Sequence, residues 1–186
     1  GLYDADIIAA IRYEKNLGVK VINFSLGMTY DASSYDNLSG AEKSQDDLLH
    51  SAITSAYNDG ITCVAAAGND GTTNYTSPSD YDECISVINI TDNDTKNSSS
   101  NYGSLKDVSA YGTNIVSTVP YSSDLCCDST CNSTCHSYYA YLTGTSMSAP
   151  MVTGLVGMLY ATNTSMTPSI AKNLIESNAT DLGTTG

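Results

Sequence analysis

Apolar positions recur along this chain at two alternating periods, one helical and one of short β-branched runs. From Asp4 to Asn16, Ile7, Ile8 and Ile11 fall at helical spacing, with Asp4 or Asp6 placed to cap and Gly18 to stop the helix. Val19 to Phe24 is a short buried strand that ends at the turn Ser25-Leu26-Gly27. Residues 28–40 are polar and predict a loop. A second helix is predicted over about Ala41 to Asn58, with Leu48, Leu49, Ala52, Ile53 and Ala56 inward and Asp59-Gly60 closing it. Ile61 to Ala67 is the next buried strand, followed at once by Gly68-Asn69-Asp70-Gly71. Cys84 to Ile90 makes a third, residues 91–104 a polar loop, and Val108 and Ile115 to Val119 further short strands around an Ala110-Tyr111-Gly112 turn. The run Met151 to Tyr160 is too rich in small residues for a surface helix and predicts one buried on most of its circumference. Pro150 is expected in its first turn, where a missing N–H costs nothing, and Ser146 at its N-terminus. Thr167-Pro168 opens a last helix, about Ser169 to Ser177.

Two helix-then-strand units in succession predict an α/β fold with a parallel sheet flanked by helices. Ligands in such sheets bind beyond the carboxyl ends of the strands. Ser25-Leu26-Gly27 and Gly68-Asn69 both fall on that edge.

Composition narrows the picture. At 186 residues, 41% apolar and 15% charged, the chain suits one globular domain. A net charge of -13 argues against nucleic acid or an anionic membrane as partner. No apolar run is long enough to span a membrane, and the first residues lack a signal-peptide pattern. Gly1 opens in mid-pattern, so the chain is expected to be a piece of a longer one. Sequons at Asn23, Asn37, Asn74, Asn89, Asn93, Asn97, Asn132, Asn163 and Asn178, with six cysteines, favour the secretory route over a mere abundance of Asn, Ser and Thr. Cys126, Cys127, Cys131 and Cys135 crowd with His136 into a polar stretch at about 121–140. Two local disulfides are favoured there, 126–131 with 127–135 or 126–135 with 127–131; a zinc knuckle is the alternative, although the spacing matches no common zinc pattern. Cys63 and Cys84 read as inert buried thiols unless their strands pair and bring them together.

Ser146 in Gly144-Thr145-Ser146-Met147-Ser148-Ala149-Pro150 is by itself either a helix N-cap or a nucleophile whose own N–H faces a developing oxyanion. Asn69 after Ala-Ala-Gly is by itself a turn residue. Taken together they imply a serine with two oxyanion donors, beside a Gly27 that lets an extended peptide pair with the strand edge.

Val21-Ile22-Asn23-Phe24-Ser25-Leu26-Gly27, Ala65-Ala66-Ala67-Gly68-Asn69 and the Gly144–Pro150 stretch resemble, in order and approximate spacing, the three landmarks of the subtilisin-like serine proteases. Ser79 to Val87 and Ser100 to Ser104 are similar as well, and the likeness runs from about Asp4 to Asp181. The resemblance implies a three-layer fold with a central parallel sheet, Ser146 as nucleophile and Asn69 as oxyanion donor. It implies Ser25, Leu26 and Gly27 as one wall and rail of the cleft, with Ala66, Ala67 and Gly68 as another wall. Asp70 would sit at the pocket mouth, where an acid favours Lys or Arg, or is simply a solvated loop acid. Met147, beside the nucleophile, would be open to oxidants.

The departures are specific. In this family the triad runs Asp, His, Ser, and neither an Asp-Thr-Gly-like nor a His-Gly-Thr-like context occurs here. His50 and His136 are not placed opposite Ser146 by spacing. Tyr111 replaces a proline, and Met151 stands where His is common. The chain is therefore expected to be the C-terminal two-thirds of a peptidase domain spanning 1–186, with a cysteine-rich insertion, lacking the triad Asp and His and inactive alone. Extended polypeptides are the expected substrates, a propeptide a further partner, and the state monomeric. No catalytic metal or cofactor is expected; Ca²⁺ as a structural ion is consistent with the family, with acids from Asp80 to Glu83 as oxygen donors. A non-catalytic peptide-binding or assembly module is the alternative. An unrelated esterase is disfavoured because Gly-x-Ser-x-Gly is absent.

Overall fold

The computed structural model describes residues 4–121 and 138–183. A parallel four-stranded sheet carries the molecule. Its strands are β1 (Val21–Phe24), β3 (Thr62–Ala66), β5 (Cys84–Ile90) and β6 (Val108–Tyr111), in the order β1-β3-β5-β6. Helices α1 (Asp4–Leu17) and α2 (Gly40–Asn58) cover one face, and α3 (Thr145–Thr162) and α4 (Pro168–Asn178) the other. Alternation along the strands decides which residue serves which layer. Cys63 and Ala65 of β3 face the α1/α2 core with Ile11, Leu49 and Ile53, whereas Val64 and Ala66 face the α3/α4 core with Val152, Val156 and Ile175. The residue pattern predicts the parallel α/β sheet, and the resemblance implies its three layers; both are present.

Two short antiparallel ladders complete the edges. β2 (Met28–Thr29) pairs with β4 (Thr76–Ser77), and β7 (Ile115–Thr118) with β8 (Tyr139–Leu142). Local chemistry accounts for most element ends. Ser39 and Glu42 form a reciprocal capping box at α2. Thr167 caps α4 ahead of Pro168. Gly18 and Gly60, at φ +71 and +82, take the left-handed conformation after α1 and α2. A cluster of buried phenols fills the space beside α2. Asp46 there is 1% exposed and accepts hydrogen bonds from Tyr75 (2.9 Å) and Tyr81 (2.7 Å).

Several expectations need correction. Leu48 lies on the solvent side of α2 and is 64% exposed, because the buried stripe runs through Asp46, Leu49, Ile53 and Ala56. The 28–40 loop contains β2 and a 3₁₀ turn at Tyr35–Asn37. Ala110 and Tyr111 belong to β6, so the chain turns only at Gly112. α3 begins at Thr145, and Pro150 is well inside it rather than in its first turn. Its apolar sequence is not buried all round, since Met151, Leu155 and Met158 are exposed among the described residues. Cys126, Cys127, Cys131, Cys135 and His136 lie outside the described residues.

Candidate active site

The carboxyl ends of β1 and β3 and the first turn of α3 meet around a pocket of about 370 Å³. Leu26, Gly27, Ala66, Gly68, Asn69, Asp70, Thr145 and Ser146 line it. Ala67, fully buried, pairs its N–H with the Val87 carbonyl behind the wall. The structure thus gathers into one cleft the stretches that the sequence singled out.

Ser146 is the second residue of α3, so its backbone N–H has no acceptor within the helix. Pro150 determines what happens on its carbonyl side. A residue with an N–H at position 150 would bond the Ser146 carbonyl four residues back. Proline leaves that oxygen open, and Ser25 Oγ donates to it at 2.8 Å. In return, Ser146 Oγ donates to the Ser25 carbonyl at 3.3 Å. Asn23 extends the clasp, since its Nδ2 donates to Ser25 Oγ and its Oδ1 accepts from Thr153 Oγ1. The end of β1 is thereby fastened to α3 on two levels.

Asn69 is held by one end. Its Oδ1 accepts from the Thr145 N–H at 2.9 Å and from Thr145 Oγ1 at 3.2 Å. That assigns the other carboxamide atom as the NH₂ group, which has no partner among the described residues; Asn69 and Ser146 line the same pocket. Thr145 Oγ1 also accepts from the Gly68 N–H at 3.2 Å and so couples the strand end to the helix start.

Two glycines are required by close approach. A Cβ on Gly68 (φ +102) would lie 2.2 Å from Asn101 Nδ2, and one on Gly27 would lie 2.7 Å from the Ser77 carbonyl. Asn101 is a functional support that sequence reasoning missed. Fully buried, it accepts from the N–H groups of Asp70 and Thr72 and donates to Thr29 and Thr76, which sets the 68–72 turn against β2 and β4. Its only sequence signal was a place in the Ser100–Ser104 stretch, without a role. Thr145 was likewise passed over.

Histidine is absent from this constellation as far as the residues are described. His50 Nε2 bonds Glu83 Oε2 at 2.9 Å and its ring stacks on Tyr81, in the layer on the sheet face opposite to α3. Burial alone would raise the Glu83 carboxyl, but hydrogen bonds from Thr54 and His50 bring it below the ordinary range. Asp80 is buried against Lys106, and Glu83 against His50 and Thr54. Asp80 and Glu83 are therefore already engaged by protein partners, and Asp82 is exposed. Among the described residues there is no cluster of three or more His, Cys, Asp or Glu side chains arranged to hold a metal ion.

Comparison with known proteins agrees with this geometry. Residues 1–186 match the subtilase family. Thermitase of Thermoactinomyces vulgaris is 36% identical over 176 residues, which cover 95% of this chain and 52% of thermitase. Subtilisin DY of Bacillus licheniformis is 30% identical over 98% of this chain and 57% of its own length. A crystal structure of a cold-adapted subtilisin-like serine proteinase superposes with a TM-score of 0.75 at 25% identity, over 98% of this chain and 57% of that one. The chain thus spans a little over half the length of these relatives.

Proposed function

The chain belongs to the subtilase family, and on that premise we propose that it is the nucleophile-bearing part of a secreted serine endopeptidase. The observation that supports the reading is the carboxamide of Asn69, fixed through its Oδ1, with its NH₂ unengaged among the described residues, in a residue that lines the same pocket as Ser146. Ser146 Oγ attacks the scissile carbonyl carbon, and the oxygen that gains charge is received by the Ser146 N–H and Asn69 Nδ2. The amine then leaves with a proton, and water releases the acyl group from Ser146.

A general base must take the Ser146 proton, give it as an acid to the leaving amine, and then deprotonate the attacking water. Among the described residues the Ser146 hydroxyl donates to the Ser25 carbonyl, and His50 is bound to Glu83 across the sheet. Since spacing puts neither His50 nor His136 opposite Ser146, this reading takes the general base and its orienting acid from polypeptide outside these 186 residues. The outer edge of β1, unpaired among the described residues, fits a further strand there. On this reading 1–186 is part of one peptidase domain, with the 121–140 stretch as an insertion. An extended polypeptide pairs with Ser25, Leu26 and Gly27, while Ala66, Ala67 and Gly68 wall the pocket for the residue before the scissile bond. Asp70, exposed at its mouth, favours Lys or Arg there. A propeptide, a monomeric state, disulfides in the cysteine cluster, glycosylation and a structural Ca²⁺ complete the proposal.

The test compares the longer natural polypeptide, the 186-residue chain and Ser146→Ala. The longer polypeptide is expected to cleave an extended peptide and to be labelled at Ser146 by a fluorophosphonate; S146A is expected to do neither. The short chain should be slower by about 10⁶, the loss measured in subtilisin, a member of this same family, when its histidine is removed. A folded longer polypeptide that neither cleaves nor labels would leave the peptide-binding or assembly module as the function.

A further inference from the structure

Cys63 and Cys84 stand outside the cleft and are unused by the mechanism. They are register partners on the adjacent parallel strands β3 and β5. Strand spacing of about 4.7–4.9 Å puts their Cα atoms inside the window of about 4.4–6.8 Å that a disulfide spans. Both side chains lie on the α1/α2 face, both are 0% exposed, and in this structure both are free thiols. The neighbouring Cys63 thiol first, and burial second, push the Cys84 thiol well up, so the folded protein holds it protonated and unreactive.

We propose that Cys63 and Cys84 close into a buried cross-strand disulfide that staples the two central strands, made while the chain folds and sealed once the α1/α2 layer packs over it. The step rests on the secretory route proposed above, which supplies a disulfide-bearing oxidant. One cysteine, as thiolate, attacks the oxidant's disulfide and forms a mixed disulfide; the second cysteine displaces the oxidant's remaining thiol. One S–S bond forms in the protein, one breaks in the oxidant, two cysteine protons are lost, and the oxidant leaves as two thiols.

The test uses the longer natural polypeptide, secreted from eukaryotic cells, unfolded with an alkylating agent but no reductant, and mapped by mass spectrometry. The expected product is a peptide with Cys63 joined to Cys84, lighter by two hydrogens than its two halves. Alkyl groups on both residues, or a link from either to the four-cysteine stretch, would overturn the proposal. A parallel sample is reduced, unfolded and refolded in a buffer of reduced and oxidised glutathione. The link appearing there but not in secreted material would overturn its formation on the secretory route and leave only the capacity of the two strands to pair their cysteines; alkylated thiols in both samples would overturn the pairing itself. In the native protein the bond is expected to survive dithiothreitol that cuts it after unfolding; cleavage without unfolding would overturn the sealed position.

Discussion

Thr145 shows how much of the cleft depends on a residue with no chemistry of its own. Its hydroxyl donates to Asn69 Oδ1 and accepts from the Gly68 N–H, so it orients the carboxamide and anchors the turn that carries it. In the longer polypeptide, Asn69→Ala is expected to lower kcat by about 10²–10³ with little change in KM, the magnitude known from subtilisin itself. Thr145→Val keeps the backbone bond to Asn69 and loses the hydroxyl bonds; a net ~1 kcal/mol predicts about a fivefold fall in kcat. Steady-state kinetics on one peptide checks both. A Thr145→Val enzyme as slow as Asn69→Ala would mean the hydroxyl does more than orient. Asn69 and Ser146 were legible in the sequence because their motifs are local. Thr145 and Asn101 were not, because their partners lie 76 and 31 residues away.

The elements carry their own constraints. Gly112 turns the chain out of β6 directly against the first turn of α3. A Cβ there would lie 2.0 Å from Ser148 Oγ, 2.7 Å from the Gly144 carbonyl and 2.8 Å from Asn89 Oδ1. Gly112→Ala is therefore expected to cost about 1–3 kcal/mol through overpacking and to displace the turn that carries Ser146. Chemical denaturation with fluorophosphonate labelling of the longer polypeptide checks both effects, and a variant unchanged in stability would show that the turn yields freely. The phenol cluster beside α2 predicts an alkaline limit. Burial first, then the charges of Asp46, Asp4 and Glu42, push Tyr30 up to about 12, and Tyr75 and Tyr81 are raised as well. The folded state keeps these protons where the unfolded chain releases them near pH 10, so this share of stability is whole below about 10 and is lost as pH rises through about 12. Tyr30→Phe is expected to shift alkaline unfolding, followed by circular dichroism, to higher pH. An unchanged or lower midpoint would refute that assignment.

On the scale of the whole molecule, burial sorts the sequons that composition alone could not. Asn89 is fully buried, and Asn23 spends both side-chain polar atoms in the clasp between β1 and α3. Asn163 is exposed just after α3, with its NH₂ unengaged among the described residues. Glycopeptide mapping of the secreted protein is expected to find a glycan on Asn163 and none on Asn89 or Asn23; an occupied Asn89 would contradict this packing. The same division separates what one chain of letters determines from what folding decides. Helix and strand identities, their alternation, the parallel sheet and the Gly-Thr-Ser and Gly-Asn motifs are written in short windows, because periodicity, caps and turn residues act over a few positions. Only the tertiary structure decided that Leu48 faces water, that Pro150 lies beyond the first turn of α3, that Cys63 meets Cys84, and that His50 lies across the sheet from Ser146. Each of those outcomes depends on which faces of distant elements come together. The sharpest case is the clasp of Ser25 and Ser146, 121 residues apart, formed where a proline leaves one carbonyl free.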